Sequence, residues 1–215
     1  MTFSGNISPY LRTNAGKSKQ HLFVSTLNPN EGSGIEVLQV VITRGLQASG
    51  KSTWAKLLSQ QSWDCCGIKL HWIRICKDDL RTMMGEYWVE SREEYLESCV
   101  KSMIYGALME GYCVVFDGLG LKEKTIRMVH EVCMDAARDR WILNGIRCKV
   151  ELFYKDFPAS IEDCIQRDRI GAMACTRRKI GKTAIEETAK TYEDVLKTLR
   201  SDEAPYEVGN WTYSE

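Results

Sequence analysis

Apolar residues in this chain fall into short, nearly continuous runs separated by longer stretches with helical spacing. The first run, Val37-Leu38-Gln39-Val40-Val41-Ile42-Thr43, is β-branched and almost uninterrupted. That pattern suits a strand buried on both faces of a parallel sheet. Similar runs recur from His71 to Cys76, from Tyr112 to Phe116 and from Cys148 to Tyr154. Between and after them the spacing predicts helices over Thr53 to Gln61, Asp79 to Gly85, Arg92 to Met109, Lys122 to Trp141, Ile161 to Asp168 and Thr183 to Leu199. Strand alternating with helix implies an α/β fold, a parallel sheet flanked by helices. Residues 1 to 35 are rich in Ser, Asn, Gly and Thr, with brief apolar clusters such as Leu22-Phe23-Val24, and read as an N-terminal extension free to be flexible. Residues 36 to 200 then form the domain, and 201 to 215 a polar, aromatic C-terminal tail.

Composition narrows this picture only at its edges. A chain of 215 residues suits one domain with appendages, and 44% hydrophobic with 27% charged residues is ordinary for a globular protein. Twenty-nine basic residues balance twenty-nine acidic ones, which excludes a general electrostatic attraction to nucleic acid and leaves only a local basic patch. The nine cysteines are scattered, with no C-x-x-C pair, and read as reduced thiols filling the core. No stretch reaches the roughly 18 apolar residues of a membrane helix. The expectation is a soluble, cytoplasmic protein that does not engage a membrane.

The strongest chemical signal is Gly45-Leu46-Gln47-Ala48-Ser49-Gly50-Lys51-Ser52-Thr53. It fits G-x-x-x-x-G-K-[ST], follows a buried strand and opens a helix, which is the context a phosphate-cradling P-loop needs. Gly45 and Gly50 let the backbone turn its N–H groups inward, and Ala48, Ser49 and Thr53 complete the nest at the helix N-terminus. Lys51 would reach the β- and γ-phosphates, and the Ser52 hydroxyl would bind Mg²⁺. The loop implies ATP and Mg²⁺ as cofactors. It leaves the reaction open, although the modest length favours a kinase over a motor or a remodelling ATPase.

After the second long run comes Lys77-Asp78-Asp79-Leu80-Arg81, where a strand end meets a helix start. Ligands bind at this edge of a parallel sheet. Asp78 and Arg81 stand three apart and share a helix face: a carboxylate there can take a proton from an attacking hydroxyl, and an arginine can grip a phosphate. Alternatively, Asp78 is an N-cap, Asp79 a first-turn acid favoured by the helix dipole, and Arg81 a solvated side chain. With Trp54-Ala55 continuing the phosphate loop, these two motifs resemble the phage T4-type polynucleotide 5′-kinase family, whose loop reads G-x-x-x-S-G-K-S-T-W-A and whose second motif reads D-D-x-R. The resemblance runs in order of elements over roughly residues 37 to 199. It implies a P-loop kinase-like fold with an arginine-bearing lid, Asp78 as general base and Arg81 as ligand of the acceptor's phosphates. It also implies transfer of the ATP γ-phosphate to a 5′-hydroxyl polynucleotide, DNA or RNA, in repair or end healing.

Two segments depart from that family. Its third strand ends in Asp and a polar pair, whereas here Asp117 precedes Gly118-Leu119-Gly120-Leu121. Asp117 is either an acceptor or metal-water contact or a turn residue of an Asp-Gly loop. The lid is expected at about 169 to 182, within a basic stretch holding Arg167, Arg169, Arg177, Arg178, Lys179 and Lys182 against Asp168. By resemblance Arg169 is taken as the arginine that acts on the transferred phosphoryl group, and Arg167 as a donor ligand. Trp72 and Trp88 flank the acceptor region and either stack a base or fill core and rim. His21, His71 and His130 are too dispersed for a metal site. Neither D-x-D-G-T nor K-x-D-G occurs, so a phosphatase or ligase partner would complete end repair. Two rivals stay open: a small-molecule or nucleoside kinase of the same fold, and a non-catalytic, nucleotide-dependent interaction protein.

Overall fold

The computed structural model describes residues 35–60, 63–65, 68–174, 178–199 and 209–210. The N-terminal extension, Arg177 and most of the C-terminal tail lie outside the described residues. Strands β1 (Glu36–Arg44), β4 (Trp72–Cys76), β5 (Cys113–Asp117) and β6 (Cys148–Asp156) form a parallel sheet in the order β4-β5-β1-β6, and the two-residue β7 (Gly209–Asn210) adds to β6. A small antiparallel hairpin, β2 (Trp63–Cys65) and β3 (Ile68–Leu70), precedes β4. Its three-residue arms are too short to register as periodicity, and the sequence reading passed over them, as it did β7.

Helices α1 (Lys51–Gln60), α2 (Lys77–Met83), α3 (Glu93–Met109), α4 (Glu123–Asn144), α5 (Ile161–Met173) and α6 (Lys182–Leu199) fill the connections. The alternation of side chains along each strand explains why the runs are apolar throughout. Leu38, Val40 and Ile42 of β1, with Val114 and Phe116 of β5, pack with Val100, Ile104 and Leu108 of α3 and Val129, Val132 and Ala136 of α4. Val41, Cys113 and Val115 point the other way, onto Ala55 and Leu58 of α1 and Trp72. Trp72 is therefore a core residue. A third cluster joins Leu46 of the phosphate loop to Cys164 of α5 and to Ile185 and Ala189 of α6.

Several boundaries differ from the sequence reading. Helix α1 opens at Lys51 rather than Thr53, because the loop's last glycine, Gly50, already accepts the first helical bond from Trp54 N–H at 3.1 Å. Helix α2 starts at Lys77, directly on the end of β4, and stops at Met83. Helix α5 runs on to Met173, five residues past the expected end, so the first part of the expected lid is helix, and of its described part only Ala174 and 178–181 lie outside a helix. Cys76, Cys99, Cys113, Cys133, Cys148 and Cys164 are free, and Cys76, Cys113, Cys133 and Cys164 are buried. Among the described residues no helix is long and apolar enough to cross a membrane.

The turn after β5 accounts for the glycines that depart from the family pattern. Thr43 Oγ1 donates to the Gly118 carbonyl at 3.0 Å and accepts from the Gly118 N–H at 3.1 Å, while the Gly45 N–H donates to the Leu119 carbonyl at 3.3 Å. This brings Gly120, at φ +62°, so close to β1 that an added Cβ would stand 2.4 Å from the Thr43 carbonyl oxygen. Both the left-handed backbone and the contact demand glycine. Gly120→Ala should therefore lower stability by about 2 kcal/mol or more, read from denaturant unfolding; an unchanged midpoint would remove this account of the turn.

Candidate active site

All four long parallel strands end at one edge, and the residues singled out by sequence gather there. The phosphate loop leaves β1 at Arg44, whose guanidinium is buried and grips Asp156 at the end of β6 through two bonds of 2.6 and 2.7 Å. Arg44 also lies 4.2 Å over the Tyr154 ring, and Tyr192 of α6 donates to the same Asp156 at 3.3 Å. The start of the loop is thus anchored at the end of β1. Gly45 adopts φ +150° with its missing Cβ against the Phe157 carbonyl, and Ala48 holds φ +62°, the one non-glycine at positive φ among the described residues. A left-handed alanine is held by its surroundings: here Ala48 packs in the cluster of Leu46, Cys164 and Ile185. Trp54, the residue that extends the loop's resemblance, meets the Phe157 ring edge-on at 5.6 Å.

Inside the loop's concavity sits the Lys51 ammonium. It is buried and donates to the carbonyls of Gly45 (3.0 Å) and Leu46 and to Ser49 Oγ at 3.4 Å. Beside it, Ser52 Oγ donates to Asp117 Oδ1 at 3.1 Å. Asp117 closes β5 and is only 4% exposed. It is paired by Arg74, whose Nε and terminal nitrogen reach Asp117 Oδ2 at 2.8 and 2.7 Å, while the other terminal nitrogen bonds Asp79. Asp117 is therefore neither an isolated turn residue nor directed only to an acceptor: it joins the loop serine to β4. Arg74 was missed in the sequence because it sits inside an apolar strand run, and only its alternation towards the strand-end carboxylate identifies it. Burial, followed by the charge of Asp117, pushes the Cys76 thiol up to about 11, so Cys76 is a neutral thiol at physiological pH and not a nucleophile.

The opposite wall is α2 and the segment after it. Asp78 is exposed and bonds Arg81 through Oδ1. Arg81 is largely covered, with a fork of bonds to Glu93 at 2.8 and 2.7 Å, the Trp88 ring at 4.8 Å and the Tyr87 ring at 5.7 Å from its guanidinium carbon. Lys77 joins Glu93 at 2.8 Å. Bonding to Arg81, then to Lys77, outweighs desolvation and draws the Glu93 carboxyl down to about 2. Burial, followed by the neighbouring Asp78 carboxylate, raises the Tyr87 hydroxyl to about 12. Trp88 is 56% exposed beside this cluster. Glu93, Tyr87 and Trp88 lie 12, 6 and 7 positions beyond Arg81, a separation no local motif records.

The basic stretch divides. Arg167 and Arg169 are exposed on α5, and Arg169 shares an open depression with Ala172, Met173 and Lys179. The structure thus does not bring Arg167 or Arg169 into a described contact with the phosphate loop. Arg178 instead stacks 4.5 Å over the Tyr87 ring, on the side of α2. Asp168 is buried, and its carboxylate accepts the N–H groups of Ile180 (3.2 Å) and Gly181 (2.9 Å), holding the start of α6. Gln47 of the loop donates to Thr188 of α6 at 2.8 Å. Among the described residues no group of three or more His, Cys, Asp or Glu side chains is arranged to hold a metal.

Comparison with known proteins follows these features. A family model for the AAA domain matches residues 40–193. No curated protein sequence matches the chain. Among solved structures, the chain aligns with one from the Pnkp1/Rnl/Hen1 RNA repair complex at 18% identity and a TM-score of 0.57, covering 78% of this chain and 48% of that one. It spans about half the length of that relative, and the likeness establishes the fold. The APS kinase CysC of Mycobacterium tuberculosis, in complex with AMPPNP and APS, aligns at 19% identity and a TM-score of 0.43 over 74% of this chain and 98% of that one. Kti12 of Chaetomium thermophilum, in complex with ADP-AlF3, aligns at 13% and 0.42 over 81% and 89%. The architecture is a P-loop kinase-like α/β fold.

The Glu93 carboxyl is depressed from 4.5 to about 2 in the folded chain, so its contribution to stability is complete above about pH 4.5 and is lost as the pH falls towards 2. Glu93→Gln should cost about 1 kcal/mol at neutral pH. Unfolding curves of the two proteins should converge over that acid range, and a gap that persists to pH 2 would mean Glu93 does not act through its charge.

Proposed function

This chain belongs to the AAA domain family, and on that footing we propose that it transfers the γ-phosphoryl group of ATP to the 5′-hydroxyl of a polynucleotide end. The observation that carries this reading is the bonded chain Ser52–Asp117–Arg74–Asp79, which ties the phosphate loop to the helix bearing Asp78 and Arg81. Donor and acceptor walls are thereby held in one frame, as in-line transfer requires.

The chemistry divides among named groups. Backbone N–H groups from Gly45 to Thr53 and the Lys51 ammonium bind the β- and γ-phosphates, Lys51 exchanging its loop carbonyls for phosphate oxygens. The Ser52 hydroxyl and Asp117 carboxylate are hard oxygen donors 3.1 Å apart, a pairing that fits Mg²⁺ together with phosphate and water oxygens. When bound there, Mg²⁺ supplies charge neutralisation on the phosphates. Asp78 accepts the proton of the acceptor hydroxyl, whose oxygen forms a bond to the γ-phosphorus as the bond to the bridging oxygen of ADP breaks. Arg81 and the exposed Trp88 address the acceptor's phosphate and base. Arg169 and Arg167 act on the donor as lid arginines from the exposed side of α5, while Arg178 stands apart against Tyr87. A phosphatase or ligase partner would supply the remaining steps of end repair.

One observation favours a second reading. The Arg81 fork is already filled by Glu93, so a phosphodiester must compete with a carboxylate, whereas a small uncharged acceptor need not. This favours a small-molecule kinase of the same fold as the runner-up.

The deciding experiment offers γ-labelled ATP and Mg²⁺ with 5′-hydroxyl DNA and RNA oligonucleotides and with free nucleosides. Label should appear on the oligonucleotides and diminish with added salt; label on nucleosides alone supports the runner-up. Asp78→Asn should cut kcat about 10²–10⁴-fold while ATP binding stays intact. Lost ATP binding would remove Asp78 from the role of base, and nucleotide binding without transfer to any acceptor would favour a non-catalytic interaction protein.

A further inference from the structure

Alternation along two neighbouring strands carries an arginine into the phosphate end of the sheet. On β4, Trp72 packs on the α1 face and Ile75 in the core on the opposite face. Arg74, two residues beyond Trp72, therefore lies on the α1 side. Its register partner on β5 is Val115, which packs on that same face, and Asp117 follows two residues later. The face is otherwise apolar, built from Val41, Ala55, Leu58 and Cys113. Against it the Arg74 and Asp117 side chains are 11% and 2% exposed, so their pairing is sheltered from water.

The bonds divide the Asp117 carboxylate unequally. Oδ2 accepts two N–H groups of Arg74, at 2.8 and 2.7 Å, whereas Oδ1 accepts only the Ser52 hydroxyl, at 3.1 Å, among the described residues. Each carboxylate oxygen offers about two lone-pair directions, so Oδ2 is filled and Oδ1 keeps one. Charge is divided as well. Arg74 spans Asp117 and Asp79, and the buried Lys51 ammonium precedes Ser52 in the loop, so two cations balance two carboxylates before any phosphate arrives. A divalent ion by itself meets one remaining oxygen direction and no surplus of negative charge.

We propose that Arg74 is a specificity-determining residue for the cation, a role that rests on Ser52 and Asp117 serving as its oxygen donors. By covering Oδ2 and offsetting the charge of Asp117, Arg74 makes cation binding depend on the negative charge that a nucleotide brings. It also selects among cations. Mg²⁺ is satisfied by single carboxylate oxygens with phosphate and water, whereas Ca²⁺ readily takes both oxygens of one carboxylate, a mode closed while Arg74 holds Oδ2. Neither the phosphate loop nor the D-D-x-R motif contains this residue.

Two binding measurements test the role without turnover. Mn²⁺, followed by the loss of its paramagnetic resonance signal on binding, probes the nucleotide-free chain. Arg74→Gln, which returns charge and Oδ2 to Asp117, should bind Mn²⁺ about tenfold or more tightly than wild type. The same substitution in an Asp117→Asn background should give no gain. Fluorescently labelled ADP, titrated in Mg²⁺ and in Ca²⁺, gives the cation preference. Wild type should bind it more tightly with Mg²⁺, and Arg74→Gln should narrow that ratio several-fold. Arg74→Lys keeps the buried carboxylate paired with a cation but replaces the two N–H contacts by one ammonium. It should narrow the ratio as well, and it answers the question if Arg74→Gln does not fold.

Wild-type affinity for Mn²⁺ in folded, nucleotide-free Arg74→Gln, or a wild-type ratio of Mg²⁺ to Ca²⁺ in Arg74→Lys, overturns the proposal. Asp117→Asn separates its failure from that of its premise. Unchanged Mg²⁺-dependent ADP binding in Asp117→Asn removes Asp117 as a cation donor and the proposal with it. Binding weakened in Asp117→Asn, beside Arg74 variants that behave as wild type, overturns the role of Arg74 alone.

Discussion

The burial of Asp117 is the constraint on which the site depends. A carboxylate only 4% exposed at the end of a central strand is costly unless it is paired and hydrogen-bonded. Arg74 and Ser52 provide that pairing from two different elements, β4 and the start of α1. Because Arg74 spends its remaining nitrogen on Asp79, satisfying one buried charge also orients the first turn of α2. The phosphate loop and α2 are thereby placed relative to each other by electrostatics, over a sheet whose apolar faces fix only the strands.

Helix α2 has little apolar support of its own: it has seven residues, none of them buried, and of these Leu80 packs partly against the core. Glu93, at the start of α3, compensates by taking both Arg81 and Lys77, and it is this carboxylate that holds α2 to the long helix behind it. The same bonds occupy the arginine that sequence reasoning offered to a phosphate. An acceptor that engages Arg81 must therefore either share its fork with Glu93 or displace one of its bonds.

On the donor side the loop is packed as well as bonded. Leu46 and Ala48 lie in one cluster with α5 and α6, and Arg44 pins the end of β1 to Asp156. Asp168, the lone acid of the basic stretch, turned out to be its structural centre: its buried carboxylate caps the approach to α6. The arginines around it diverge, with Arg167 and Arg169 on the exposed side of α5 and Arg178 against Tyr87.

The four long strands, the six helices and the phosphate loop were legible in the sequence, because burial on both sheet faces writes itself as apolar runs and the loop's backbone demands glycines at fixed spacing. Gly118 and Gly120 were visible as a departure but not as a necessity, since only the 2.4 Å approach of the Thr43 carbonyl explains Gly120. The hairpin at 63–70 escaped because three-residue arms carry no periodicity. What the tertiary structure alone decided is which charges meet: Arg74 with Asp117, Glu93 with Arg81, Arg178 with Tyr87, Asp168 with the start of α6. A sequence records local spacing, and these partners are joined only where strands whose paired residues stand 41 and 74 positions apart in the chain end at one edge and helices fold back over it. The phosphate-loop motif is a local property and is readable at once; the wall around α2 is assembled from distant parts, so its partners appear only in the fold.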